Sequence, residues 1–174
     1  MAVMKKITNV YIAGPLFNWG EQWFNVRLKE ELEKVSEQRK LGITFHLPQE
    51  LEVDNASDIF VENKKRLNKS QCLVAILDGA DIDSGTSWEI GYAHAKDKKI
   101  IGVRTDFRYS GEQGKGNLMI LKSLSSQLIN KSRFKNKPRF YSTSNKSEKT
   151  QGDFISKLAA SIIRKILKIE TQQK

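Results

Sequence analysis

The 174-residue sequence predicts an α/β protein built on a single doubly wound parallel sheet flanked by helices. Three observations carry that prediction. Short β-rich segments alternate with stretches of helical periodicity, and no two-residue hairpin turn joins successive strands. The segment Cys72-Leu73-Val74-Ala75-Ile76-Leu77 is apolar at every position, as a strand covered on both faces must be. Without hairpins, right-handed crossovers must connect the strands, which makes the sheet parallel. The length fits one domain, residues 1–174, large enough to hold a core without disulfides or a structural metal.

Each element has its own signal. Ile7 to Ala13 is β-rich and stops at Gly14-Pro15. Asn18, three residues before Glu21, caps a helix whose apolar positions Phe24, Leu28, Leu32 and Val35 recur at helical spacing. Ile43 to Leu47 is a second strand closed by Pro48, and Ala56 to Leu67 is a helix feeding the apolar third strand. Ser84 to Lys96 has helical composition, and Lys99 to Arg104 is a fourth strand. Residues 105–117, with Gly111, Gly114 and Gly116, read as a mobile loop or lid. Leu118 to Leu128 is expected to be helical, with a short strand at Arg139-Phe140-Tyr141. Asp153 is placed to cap a final amphipathic helix with apolar face Ile155, Leu158, Ile162 and Ile166 and the small Ala159 on its flank.

Charge and cysteine content narrow the function classes. The net charge is +10, but residues 131–174 hold 12 basic and 3 acidic residues, so the excess belongs to the C-terminal quarter. Phe134, Phe140 and Tyr141 among those charges make a weak stacking platform, and the segment 131–151 reads as solvated charge rather than a nucleic-acid interface. The lone Cys72 excludes an internal disulfide framework and a multi-Cys zinc site. No apolar run approaches the roughly 18 residues of a membrane span, and Gly14 and Pro15 interrupt the only early apolar stretch. A reducing, cytoplasmic setting without membrane contact is the expectation.

Open α/β sheets bind ligands beyond the C-terminal ends of their strands, so the segments that follow the strands are the places to look. Neither a GxGxxG fingerprint nor a GxxxxGK[ST] loop is present. His46 and His94 show no ligand-like pairing, so neither a metal nor another cofactor is expected. The loop after the third strand is the informative one, with Asp78, Asp81 and Asp83 within six residues. Such carboxylates bind a divalent cation or accept hydrogen bonds from sugar hydroxyls. Glu89 follows in the early turns of the next helix, between Trp88 and Ile90. A partly desolvated glutamate there is a candidate nucleophile or general base. The same position also suits an ordinary glutamate favoured by the helix dipole.

Read together, Val10-Tyr11-Ile12-Ala13-Gly14-Pro15-Leu16-Phe17, Leu47-Pro48-Gln49, Leu77-Asp78-Gly79, Asp83-Ser84-Gly85-Thr86-Ser87-Trp88-Glu89-Ile90-Gly91-Tyr92-Ala93, Arg104-Thr105-Asp106-Phe107-Arg108 and Asn117-Leu118-Met119 resemble the nucleoside 2-deoxyribosyltransferases. The likeness runs from about residue 8 to 120 and is most specific from Asp83 to Tyr92. It implies a flavodoxin-like sheet and transfer of 2-deoxyribose between bases in nucleoside salvage, with deoxynucleosides and free nucleobases as partners and no cofactor. By position it implies Glu89 as nucleophile, Tyr11 as the group orienting it, and Asp83 as the grip on the sugar 5′-hydroxyl. Gly14, Pro15, Phe17, Gln49, Asn63, Asp78, Gly85 and Trp88 are then expected at the substrate, with Gln49 near the base. Asn117 and Met119 match residues that reach into a neighbouring subunit's site, which implies a homo-oligomer, dimer or hexamer, with shared active sites.

Two positions depart from that pattern. Asn63 stands where many members carry an aspartate that contacts or protonates the leaving base, and an amide is no acid. Base activation then falls to an acid such as Asp58, to water, or to hydrogen bonding alone. The loop between Arg108 and Asn117 also differs in length. A rival reading is hydrolysis of deoxynucleosides or their 5′-monophosphates, and Asp83 argues against the latter because its charge repels a phosphate. A third is a nucleoside-binding module without turnover.

Overall fold

A computed structural model describes residues 6–52, 55–106, 108, 110–112, 114–130 and 147–171, with backbone alone at 130 and 147–153. Its elements are β1 (Asn9–Ala13), α1 (Trp19–Gln38), β2 (Thr44–His46), a 3-10 turn (Pro48–Glu50), α2 (Ala56–Lys69), β3 (Cys72–Ile76), α3 (Ser84–Ala95), β4 (Lys99–Arg104), α4 (Leu118–Ser123), β5 (Ile129–Asn130) and α5 (Ser147–Thr171). All strand pairs are parallel, in the order β2-β1-β3-β4-β5. From β1 the chain moves outward to β2 in one direction and through β3, β4 and β5 in the other. The switch point therefore lies between the C-terminal ends of β1 and β3, where such sheets open a ligand crevice.

Alternation along the strands divides the interior into two layers. Val10 and Ile12 of β1, with Val74, Ile76, Ile101 and Val103, face Leu28 and Leu32 of α1 and Ile155, Leu158, Ile162 and Ile166 of α5. Tyr11 and Ala13, with Leu73, Ala75 and Ile100, face Leu67 of α2 and Ile90 and Ala93 of α3. The Asn18–Glu21 capping box forms as the sequence indicates: Glu21 N–H donates to Asn18 Oδ1 at 3.0 Å, and Asn18 N–H donates to Glu21 Oε2 at 3.2 Å.

Two sequence expectations change. The helix expected at 118–128 stops at Ser123, because the chain then runs along β4: Ser125 N–H donates to Ile100 O and Ile100 N–H to Ser125 Oγ, each at 2.8 Å. That course leads into a fifth strand at Ile129–Asn130, paired with Val103 and Arg104. Asp153 lies inside α5 rather than at its cap, since the helix starts at Ser147; its leading turns carry no apolar stripe to announce them. The strand expected at Arg139-Phe140-Tyr141, most of segment 131–151 and Phe107 lie outside the described residues. None of the helices among the described residues is long and apolar enough to cross a membrane.

Candidate active site

Glu89 sits on the second turn of α3, beside the switch point. Tyr11, fully buried on β1, donates from its hydroxyl to Glu89 Oε1 at 2.6 Å. Glu89 Oε2 has no hydrogen-bond partner among the described residues and is not sealed from solvent. Burial pushes the Glu89 carboxyl up to about 7; the Tyr11 hydrogen bond opposes this rise and the charge of Asp83 adds to it. Burial, then the neighbouring Glu89 charge, raise the Tyr11 hydroxyl so far that it stays protonated and serves as a donor. The pair is a carboxylate oriented through one oxygen, with the other unpartnered and reachable from solvent.

Asp83 is the N-cap of α3, its Oδ2 accepting from Thr86 N–H at 2.7 Å and Thr86 Oγ1 at 2.9 Å. Its Oδ1 has no partner among the described residues. Gly85 lies exposed in the first turn of the same helix. Beside Glu89, Trp88 meets Phe60 of α2 edge-on at 5.6 Å and stacks on Tyr92 at 5.1 Å. The Lys64 ammonium lies over both neighbouring rings, 5.7 Å from Phe60 and 5.9 Å from Tyr92.

The near wall is held by amides. Asn25, buried in α1, donates to Pro15 O at 2.9 Å and to Gln49 Oε1 at 3.3 Å, and Gln49 Nε2 donates to Gln22 O at 3.1 Å. Gln22 in turn donates to Leu16 O at 2.9 Å. These bonds fix the turn after β1. At Gly14 an added Cβ would stand 3.0 Å from Ile76 Cβ, tighter than ordinary contact, so glycine lets the turn pack closely on β3. Gln49, expected near the base, thus spends both ends of its amide on the protein.

Asp78 turns toward the β4 loop: Oδ1 accepts from Thr105 N–H at 2.6 Å and Asp106 N–H at 2.8 Å, and Oδ2 from the Thr105 hydroxyl. In return Gly79 N–H donates to Asp106 Oδ2 at 3.0 Å. Arg104, only 1% exposed, donates to Leu77 O, and at 3.0 Å to both Gly79 O and Arg108 O. The three residues form a clasp across the loops that lead to Asp83. Residues 104–108 belong to the segments that carry the family resemblance, but nothing in that resemblance assigns Arg104 a task; the available signal was a charged residue ending an apolar strand.

The three loop aspartates hold no common cation site, since Asp78 serves the clasp, Asp83 the helix cap, and Asp81 accepts from Ile82 N–H at 2.9 Å. Among the described residues no three His, Cys, Asp or Glu side chains are grouped to hold a metal. Asp58 is on the exposed first turn of α2, paired with Asn55 Nδ2 at 2.6 Å. Phe17 and Met119 stand 77% and 76% exposed, and Asn117 Oδ1 accepts from Met119 N–H to cap α4.

Comparison with known proteins places this geometry. The chain superposes on a conserved protein from Enterococcus faecalis V583 with TM-score 0.61 and 27% identity, over 73% of this chain and 92% of that one. It also superposes on a 2-desoxiribosyltransferase from Leishmania mexicana with TM-score 0.55 and 21% identity, over 73% and 91% of the two chains, a likeness of fold. No curated protein matches the sequence. The nucleoside 2-deoxyribosyltransferase family model matches residues 10–129, the stretch that carries the Tyr11–Glu89 pair, the Asp83 cap and the clasp, and with most of the chain so matched this protein belongs to that family.

Proposed function

We propose that the chain transfers 2-deoxyribose between nucleobases in nucleoside salvage, with Glu89 as the nucleophile. The observation that carries this reading is the half-buried carboxylate held by the Tyr11 hydroxyl at the switch point, one oxygen left open. Glu89 Oε2 attacks C1′ of a 2′-deoxynucleoside while the C1′–N bond breaks and its electron pair leaves with the base. The product is an ester between Glu89 and the sugar. An acceptor base then attacks C1′ from the opposite side through a ring nitrogen that gives up its proton to solvent, and the carboxylate departs, so two inversions give net retention. A carboxylate suits this centre because it stabilises the positive charge that develops at C1′.

Asp83 Oδ1 accepts from the sugar 5′-hydroxyl in this reading, and its charge turns away a 5′-phosphate. Asn63 has no proton to release, so activation of the departing base falls to an acid such as Asp58, to water, or to hydrogen bonding alone. The exposed Phe17 and Met119 fit burial against a second copy of the chain, with Asn117 and Met119 completing a neighbour's site. Light scattering at micromolar protein tests that assembly; a monomer at every concentration would sink it.

The deciding experiment incubates thymidine with adenine and protein, beside Glu89→Ala and a tube of deoxynucleoside monophosphate. Deoxyadenosine that forms only with intact Glu89 is the expected result. Free base without deoxyadenosine would move the reading to a hydrolase, and no turnover in any tube would leave a binding module.

A further inference from the structure

We infer that the pole of the molecule opposite the crevice is a second binding site, one for the phosphate chain of a small di- or triphosphate. A cavity of about 210 Å³ opens there, between the last turns of α2 and α5, the turn after α3, and the residues that lead into β1, β3 and β4. The strands are parallel, so this cavity lies at their N-terminal ends, whereas Glu89 lies toward their C-terminal ends. Four lysines, Lys69, Lys96, Lys98 and Lys99, line it with two carboxylates, Asp97 and Glu170.

Lysines gather at helix C-termini for an ordinary reason, the open carbonyls and negative dipole end of the helix. For α2 and α3 that demand is already met. Lys98 Nζ donates to Asn68 O at 2.8 Å and to Ser70 O at 2.6 Å, and Gln71 Nε2 donates to Lys69 O at 2.9 Å, which closes α2. Helix α3 closes on its own backbone: with Asp97 in the left-handed region at φ 53°, Lys98 N–H donates to Ala93 O and Asp97 N–H to His94 O, each at 3.0 Å. The ammonium groups of Lys69, Lys96 and Lys99 are left over. Among the described residues no carboxylate, Asp97 and Glu170 included, stands within ion-pair distance of these three. Glu170 instead accepts from Ile7 N–H at 2.6 Å, and Lys96 has the Tyr92 ring, 6.0 Å away.

Three unneutralised cations around one concavity focus a positive potential into it, which selects an anion. Ammonium groups bind phosphate as compact point charges, without the fork geometry that a carboxylate ligand favours. A phosphate chain spreads its charge along its length, so separate lysines each meet a phosphoryl group, which a single small anion cannot offer them. The two poles then sort ligands in opposite senses: the Asp83 carboxylate repels phosphate at the crevice, and the lysines collect it at the far end. None of these lysines takes part in the transfer reading, so the two stand or fall separately.

The test is titration calorimetry on the full chain in EDTA at about 0.1 M salt, with tripolyphosphate and dATP as separate probes. It compares the wild type with Lys96→Gln/Lys99→Gln, with Lys69→Gln, and with Lys34→Gln, a lysine of α1 that does not line the cavity; thermal melts confirm folding. At least one probe should bind the wild type at a single site with Kd below about 100 μM. The double variant should weaken it about twentyfold and Lys69→Gln about fivefold, with Lys34→Gln within about twofold of wild type. Equal affinity for the two probes means that the phosphate chain alone is read, and tighter dATP means that the nucleoside carrying it is read as well. The proposal is overturned if neither probe binds below about 1 mM, or if binding survives in Lys96→Gln/Lys99→Gln. It is overturned too if dATP binding is lost in Glu89→Ala, which would place the nucleotide in the crevice, or if sulfate at equal ionic strength displaces the probes as well as unlabelled tripolyphosphate does.

Discussion

Strand β1 sends Val10 and Ile12 toward α1 and α5 and Tyr11 toward α2 and α3, and the two layers so formed differ in what they bury. The α1/α5 layer is almost wholly aliphatic, with Leu158, Ala159, Ile162, Ile163 and Ile166 of α5 at 0% exposure. The opposite layer buries a tyrosine hydroxyl against a carboxylate. One layer accumulates stability by removing apolar surface from water. The other gives some of it up, because an ionised Glu89 is unfavourable where it is needed. Separating the two along a period-2 strand lets adjacent residues serve opposite ends.

Glu89→Gln is the sharpest way to break that division. Transfer should fall by about a thousandfold or more, since an amide is no nucleophile, while Tyr11 still has an oxygen to donate to. Stability should move the other way. The folded carboxyl is raised from 4.5 to about 7, so ionisation destabilises the native state progressively across that window and fully above it. The variant is expected to gain on the order of 2 kcal/mol at pH 8 and nothing at pH 4, read as melting curves at the two pH values. Equal melting points at pH 8 would contradict a costly buried carboxylate.

Ile162→Ala probes the other layer. Its side chain is fully buried, so truncation should cost roughly 2–5 kcal/mol. The kcat of the protein that remains folded should stay within about twofold, since the cavity opens on the far side of the sheet. A loss of kcat with unchanged stability would show that the layers are not separate.

How far the sequence anticipated these layers depended on how local each signal was. The Asn18–Glu21 box, the all-apolar β3 and the α5 stripe are encoded within a few residues, and all three formed. Strand β5 exists because residues 125–130 find the edge of β4, which no local pattern announces. Tyr11 and Glu89, 78 residues apart, meet because both sit at the switch point, which strand order makes predictable. The duties of Gln49 and Asp78 were not legible, because whether a polar side chain faces a ligand or its own backbone depends on tertiary neighbours such as Asn25 and Thr105.

Tyr11→Phe measures the coupling between the sheet and the nucleophile. The hydroxyl stabilises the ionised carboxyl, so its loss moves the Glu89 titration further upward. The rise of kcat/KM with pH should shift to higher pH by about one unit, with about a tenfold loss at pH 6 that narrows by pH 9. A uniform loss at all pH values would mean that the hydroxyl orients the carboxylate without tuning its ionisation.

The smallest effect belongs to the rim of the clasp. Arg104 and Arg108 stand four residues apart, yet one guanidinium is buried against three carbonyl oxygens and the other is 56% exposed beside Asp106. Burial disfavours the Asp106 carboxylate, and the Arg108 guanidinium together with the N–H groups of Arg108 and Gly79 more than compensates, holding it down at about 2. Whatever this arrangement contributes is present above pH 3.8 and lost as pH falls through 2. At pH 7 Arg108→Ala should leave the melting point indistinguishable from wild type, because water and salt screen the exposed partner and Asp106 keeps its bond from Gly79. A fall of several degrees, with Arg104 and Asp78 intact, would mean that the rim and not the buried guanidinium holds the two loops together.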